Sequence, residues 1–353
     1  MKLFTVGPVE MYPQTLKIES EQLPYFRTPE FSSVMKNIET NFLKTVFAPE
    51  GTLFSLLTCS GSGAMEASVI NTLNRTDKVL IINGGSFGNR FKEICKIHEI
   101  PFEEYIINYE ESFNKEHFEK YSECGFTALL VNACETSTCQ KYDLKYLGDF
   151  CKRNNMLFIV DAVSAYLADY INLKEHNIDI LFTASQKALA LSPGTALFAI
   201  SEKAYRTHIK GSRKSLYFDF NDYILNQKRG QTPFTPSVGT VLALNERLNS
   251  IISRGVENEI ALHKERAEYF RNLVRELPVS LPDYELSNCC TAIFFKNDNA
   301  MQIYENLKEK HGIVLTPSGG SIKNRQLRVG HIGNLSFKDY DILVEKLKGE
   351  LKQ

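Results

Sequence analysis

The chain reads as an α/β protein in which a mostly parallel sheet is covered by helices and a smaller C-terminal α+β domain follows. Three observations predict this. Short apolar runs recur through the middle of the chain, each rich in Val, Ile, Leu or Phe and too short for a helix. Helix-patterned stretches alternate with them. From about residue 246 the pattern changes to long helical stretches separated by isolated strand candidates.

The first runs are Lys78–Asn83 (KVLIIN), Thr127–Cys134 (TALLVNAC) and Leu157–Val163 (LFIVDAV). Ile178–Ser185 (IDILFTAS) and Thr195–Ile200 (TALFAI) complete the set. Continuous apolarity without alternation fits strands buried on both faces. Asp143 is placed to cap a helix with Leu144, Leu147, Phe150 and Cys151 on one face. That helix joins two strand candidates, the βαβ arrangement that builds parallel sheets. In the tail, a helix is expected from about Val256 to Leu277, then a strand at Cys290–Lys296 and a helix near Ala300–Lys310. A strand after Gly312, another at Leu327–His331, and a helix capped at Ser336 close the chain. Phe337, Tyr340, Leu343 and Leu347 form that helix's apolar face. The expected organisation is an N-terminal segment over 1–15, a large domain over 16–245 and a small domain over 246–353.

A chain of 353 residues that is 43% hydrophobic has material for two cores. Its 41 basic and 42 acidic residues give a net charge of −1, and no block of like charge stands out. Such a balance argues against nucleic acid or a membrane surface as partner. No apolar run approaches the roughly 18 residues of a spanning helix, and Met1–Pro8 lacks the pattern of a secretory leader. The eight cysteines form no CxxC pair, so free buried thiols in a reducing cytoplasm are expected, with no metal site.

Three segments carry candidate chemistry. Ser60-Gly61-Ser62-Gly63-Ala64-Met65-Glu66-Ala67 places small residues immediately before a helix-favouring run. Small side chains let backbone N–H groups approach an anion, and the helix start adds the positive end of its dipole. A phosphate suits this loop; a tight turn that merely opens a helix is the alternative. Asp161 ends a buried strand, where open α/β sheets place ligands. It needs a cationic partner there, such as a protonated pyridine nitrogen, or else serves as a helix cap. Lys187 follows the strand Ile178–Ser185 and Gln186. A desolvated lysine has a lowered pKa and can attack an aldehyde; a lysine snorkelling at a sheet edge is the alternative. Together the three supply contacts for the phosphate, ring nitrogen and aldehyde of pyridoxal phosphate.

The chain resembles the class V, fold-type I aminotransferases, in particular the alanine- or serine-glyoxylate group, over nearly its whole length. The motifs that carry the resemblance are Gly7-Pro8, Arg27-Thr28-Pro29-Glu30-Phe31, Ser60 to Ala67, and Asn83-Gly84-Gly85-Ser86-Phe87-Gly88. They continue with Glu135-Thr136-Ser137-Thr138, Asp161-Ala162-Val163-Ser164, Ser185-Gln186-Lys187-Ala188-Leu189, Thr232-Pro233-Phe234-Thr235-Pro236 and Leu327 to Gly333. The resemblance implies a pyridoxal phosphate Schiff base on Lys187 and a role for that amine as proton shuttle. It implies that Asp161 holds the ring nitrogen protonated, that Phe87 stacks on the ring, and that Val163 packs on the other face. Thr136 would bond near the phenolic oxygen. Ser62, Gly63, Ala64 and Gln186 would hold the phosphate, joined from a neighbouring subunit by Thr235 and Thr232. Arg328 would clamp the substrate carboxylate, and Gly7 would lie against the substrate. A homodimer with shared sites follows.

Departures leave the substrate open. Relatives often carry Trp or Tyr at the stacking position, whereas this chain has no Trp and offers Phe87. Lys210, Arg213 and Lys214 either meet an acidic substrate or face solvent, and Arg27 has no assigned role. The expected reaction moves an amino group from a small amino acid (Ala, Ser or Asp) to pyruvate or glyoxylate. A 2-aminoethylphosphonate–pyruvate transaminase is one alternative. A class V lyase such as a cysteine desulfurase is another, though those carry His before the Schiff-base lysine and a cysteine on a mobile loop. A cofactor-binding protein without catalysis is the remaining alternative, opposed by Lys187, Asp161 and Arg328 together.

Overall fold

A computed structural model describes residues 1–352. Seven strands form the large sheet in the spatial order Leu53–Leu57, Ala196–Ile200, Ile180–Ala184, Leu157–Asp161, Ala128–Asn132, Val79–Asn83 and Phe102–Ile106. Every pairing is parallel except the two made by Ala196–Ile200, which runs antiparallel to both neighbours. The three central strands Ala128–Asn132, Leu157–Asp161 and Ile180–Ala184 are buried at every position. Two apolar clusters lie on the two faces of the sheet, so alternate residues such as Phe158 and Ile159 enter different clusters.

Helices cover the sheet for local reasons. Asp143 accepts from the Tyr146 N–H and caps Leu144–Arg153, with Leu144, Leu147, Phe150 and Cys151 buried, as the sequence predicts. Thr28 caps Pro29–Thr45, and proline at the first position suits a helix start.

The small sheet has four strands in the order Val279–Ser280, Cys290–Phe295, Gln326–Gly330 and Thr316–Pro317, all antiparallel. Val256–Val274, Ala300–His311 and Phe337–Glu350 pack on it around Phe270, Ile303, Leu327 and Tyr340. Ser336 and Asp339 form a reciprocal capping box at the start of the last helix. The N-terminal strand Lys2–Leu3 pairs with Ile313–Val314, after which Val6 and Gly7 run toward the large sheet.

Some boundaries differ from expectation. Thr127–Cys134 divides into Ala128–Asn132 and a short strand Cys134–Glu135, and Leu157–Val163 ends as a strand at Asp161. The thiols are all free, yet Cys124 is exposed and Cys59 only partly buried, so the expectation of eight buried thiols holds for six. Among the described residues no helix is long and apolar enough to cross a membrane.

Candidate active site

Parallel strands bring their carboxyl ends to one edge, and the candidate residues lie there. Val79–Asn83 leads into Phe87, Ala128–Asn132 into Thr136, Leu157–Asp161 ends at Asp161, and Ile180–Ala184 leads into Lys187. The edge strand Leu53–Leu57 delivers Ser60–Gly63. Two connected cavities result. An inner one of about 110 Å³ is lined by Gly61, Ser62, Phe87, Asp161, Val163 and Lys187, with Cys134, Thr136 and Gln186 alongside. An outer one of about 800 Å³ shares Phe87, Thr136 and Lys187 and reaches Gly7 and Arg328.

Lys187 is 8% exposed and makes no ion pair among the described residues. Its Nζ donates to the Val6 carbonyl at 2.6 Å. Burial is the main cause that lowers its pKa below the usual lysine value. Gly7 must be glycine: φ is +128°, and a Cβ there would sit 2.6 Å from Lys187 Cδ. Asp161 accepts from Asn132 Nδ2 at 2.7 Å and from the Val163 N–H at 2.8 Å, both neutral donors. Burial pushes its carboxyl up to about 6. Such a carboxylate lacks a cation.

The helix Gly61–Thr72 begins without a side-chain cap from Ser60, so its first N–H groups are available to an anion. Gly63 allows the loop's tight path, since a Cβ would come within 2.9 Å of Cys59 Cβ. Gln186 Oε1 is buried with no partner. The Thr136 and Ser164 hydroxyls share a hydrogen bond at 2.5 Å.

Arg328 lies on Gln326–Gly330. Its two terminal nitrogens donate to the carbonyls of Thr136 at 2.7 Å and Pro317 at 2.9 Å. Its Nε is buried without a partner, and no acid among the described residues pairs with it. The guanidinium is therefore fixed in place with its charge uncompensated.

Two positioning groups escape the sequence reading. Glu135 accepts from the N–H groups of Phe87 at 3.1 Å and Gly88 at 3.0 Å, which places a carboxylate at a helix start and orients Phe87. Arg90 lies over the Phe87 ring at 4.7 Å and donates to Ser62 Oγ at 2.9 Å, linking the ring to the small-residue loop.

Other candidates lie elsewhere. Thr232 donates to the Phe234 carbonyl within its own loop, and Thr235 is exposed. Arg27 holds that loop by donating to the carbonyls of Thr232 at 2.7 Å and Pro233 at 3.2 Å. Arg213 pairs with Asp219 at 3.5 Å, and the Lys214 ammonium donates to the Leu73 carbonyl; neither lines the two cavities. Cys289 and Cys290 are buried rather than on a mobile loop, contrary to what a desulfurase needs.

Pyridoxal phosphate fits this donor set: an uncompensated carboxylate, an orphaned amide oxygen, an uncapped helix start and a desolvated amine converge on one cavity. The Aminotransferase class-V profile matches residues 26–332. An uncharacterised aminotransferase of Methanocaldococcus jannaschii is 31% identical, over 96% of this chain and 89% of its own. The L-aspartate–glyoxylate aminotransferase of Paracoccus denitrificans is 26% identical, over 95% and 87%. The crystal structure of a Thermus thermophilus aspartate aminotransferase superposes with a TM-score of 0.92 at 25% identity, covering 100% of this chain and 99% of that one. With a profile match across most of its length, and with the residues that pyridoxal phosphate requires, the chain belongs to the class-V aminotransferases.

Proposed function

We propose that this aminotransferase takes its amino group from a donor with one carboxylate and a small uncharged side chain, such as alanine or serine, and passes it to glyoxylate or pyruvate. The observation that carries this reading is the charge of the outer cavity. Among the described residues lining it, Lys187 and Arg328 are the only charged ones. One cation is needed for the α-carboxylate, which leaves none for a second acid or a phosphonate. Arg213 and Lys214, the candidates for that task, are engaged elsewhere.

In this reading the bound cofactor supplies an electron sink for the substrate α-carbon. Lys187 Nζ takes and returns the proton at that carbon, and Asp161 keeps a proton on the ring nitrogen. Phe87 and Val163 cover the ring, with Thr136 beside it. Ser62, Gly63, Ala64 and Gln186 hold the phosphate. Arg328 grips the carboxylate by two-point bonding, and Gly7 walls the substrate side.

A donor panel tests the specificity, with loss of the cofactor's yellow absorption as readout. Alanine and serine are expected to bleach it fastest. Aspartate and 2-aminoethylphosphonate should react slower by roughly two powers of ten, the cost of a buried unpaired charge. Alaninamide, without the carboxylate, should lose about tenfold or more. If aspartate or the phosphonate reacts fastest, the specificity reading is wrong.

The working unit in this reading is a cytoplasmic homodimer. Eight free thiols suit a reducing compartment. Exposed apolar side chains flank the Thr232–Pro236 loop: Tyr217 stacks on Phe234, and Leu23 and Tyr25 lie just before Arg27. Covering that patch with a second subunit would bring Thr235 to the neighbour's phosphate; Thr232, bonded within the loop, would shape it. Thr235→Ala is expected to weaken cofactor retention in a dimer of unchanged size. A fully active monomer on gel filtration would exclude the arrangement.

A further inference from the structure

Beside the catalytic lysine lies a group of thiols that the transamination chemistry does not use. Cys134 belongs to the strand Cys134–Glu135, while Cys290 begins the strand Cys290–Phe295 of the small sheet and Cys289 immediately precedes it. The Sγ atoms of Cys134 and Cys289 are 3.6 Å apart, and those of Cys289 and Cys290 are 3.3 Å apart. All three sulfurs lie within 4.8 Å of one another. They are buried. Cys134 also lines the inner cavity, so the group has a face toward the cofactor pocket.

We propose that Cys134, Cys289 and Cys290 form a three-thiolate site for a divalent zinc-type ion that ties the segment after the strand Ala128–Asn132 to the small sheet behind the cofactor pocket. Sulfur ligands select soft or borderline ions, and three cysteines supply three of the four positions of a structural zinc site. A tetrahedron with metal–sulfur bonds of about 2.3 Å has sulfur–sulfur edges of roughly 3.8 Å. The spacings here, 3.3 and 3.6 Å with all three sulfurs inside 4.8 Å, need only small adjustment to reach it.

Charge favours a dication over a monovalent ion. Three thiolates around a dication leave one negative charge, and Lys187 stands close enough to Cys289 and Cys290 to offset part of it. A monovalent ion would leave two. In the metal-free state contact with Cys289 and Cys290, with burial added, holds the Cys134 thiol well above its usual range. Each thiol that ligates therefore releases its proton to solvent, and no oxidant or reductant takes part.

Full-length holoenzyme expressed in zinc-supplemented medium tests this by elemental analysis after gel filtration. Close to one zinc per chain is expected. Cys134→Ser and Cys290→Ser should each lower the content roughly tenfold or more, while Cys95→Ser, a buried thiol elsewhere, retains it. Cobalt(II) titration of the wild-type chain gives a second readout that needs no variant. Tetrahedral thiolate ligation produces intense ligand-field bands in the red, clear of the cofactor's absorption. Binding of neither ion by the wild type, or zinc unaffected by both serine variants, would overturn the site and leave the thiols as packing alone.

Discussion

Lys187→Ala is expected to abolish turnover, with the loss no smaller than the roughly two to four powers of ten that positioned proton transfer contributes, while the protein keeps its fold and still binds cofactor. The local structure argues for both halves. Lys187 is buried against Val6 and Gly7, and its one hydrogen bond runs to the Val6 carbonyl at 2.6 Å. Truncation to alanine leaves a carbonyl without a donor, a modest cost, and removes a buried amine that was itself costly to desolvate. The other contacts expected for the cofactor come from different segments: the uncapped helix start at Gly61, Gln186, Asp161 and Phe87. They survive the substitution. Borohydride reduction and peptide mapping should place the cofactor's mass on the Lys187 peptide in the wild type and on no lysine in the variant. A variant that still turns over, or a reduced adduct on another lysine, would remove Lys187 from the mechanism.

How much of this was legible without coordinates depends on where each residue sits in the sheet. Strands buried on both faces, such as Leu157–Asp161, announce themselves by unbroken apolarity. The two strands that composition does not mark, Leu53–Leu57 and Phe102–Ile106, are the two edges. In the second, Glu103 and Glu104 interrupt the run, because an edge strand can present charge to water. The reversed direction of Ala196–Ile200 was readable in principle. A parallel crossover needs about a dozen residues or more, and the connection Ser185–Thr195 falls short of that.

The site divides in the same way. Asp161 and Lys187 stand out because a charge at the end of an apolar strand demands a partner. Glu135 and Arg90 do not, since what they do is defined by groups that only the fold brings near: the Phe87 and Gly88 N–H groups for one, the Phe87 ring and Ser62 for the other. The Cys134, Cys289 and Cys290 cluster lay beyond sequence reasoning for the same cause, because two of its three thiols come from the start of the strand Cys290–Phe295, far along the chain from Cys134.

Asp161→Asn is expected to lower kcat/KM by roughly two to three powers of ten, the scale of one lost electrostatic contact at a reacting group, and also to change how stability depends on pH. Without cofactor, burial raises the Asp161 carboxyl from 3.8 to about 6. A carboxyl whose folded pKa lies above its unfolded value favours the fold when protonated. That contribution is full below 3.8 and is lost as the pH rises through about 6. Above that point the cofactor-free chain buries an unpaired carboxylate, at a cost on the order of 3 kcal/mol for the two-unit shift. In the proposed reading, contact with a protonated ring nitrogen removes the cost. The rise in melting temperature on adding cofactor should therefore be larger near about pH 8 than near about pH 5. Covalent attachment at Lys187 varies with pH too, so the asparagine variant supplies the comparison: it keeps that linkage and should lose much of the Asp161 part of the difference. Asp169, also pushed up to about 6 by burial, lines neither of the two cavities. It contributes equally with and without cofactor and drops out. An unchanged pH dependence in Asp161→Asn would mean that Asp161 does not meet a positive charge on the cofactor.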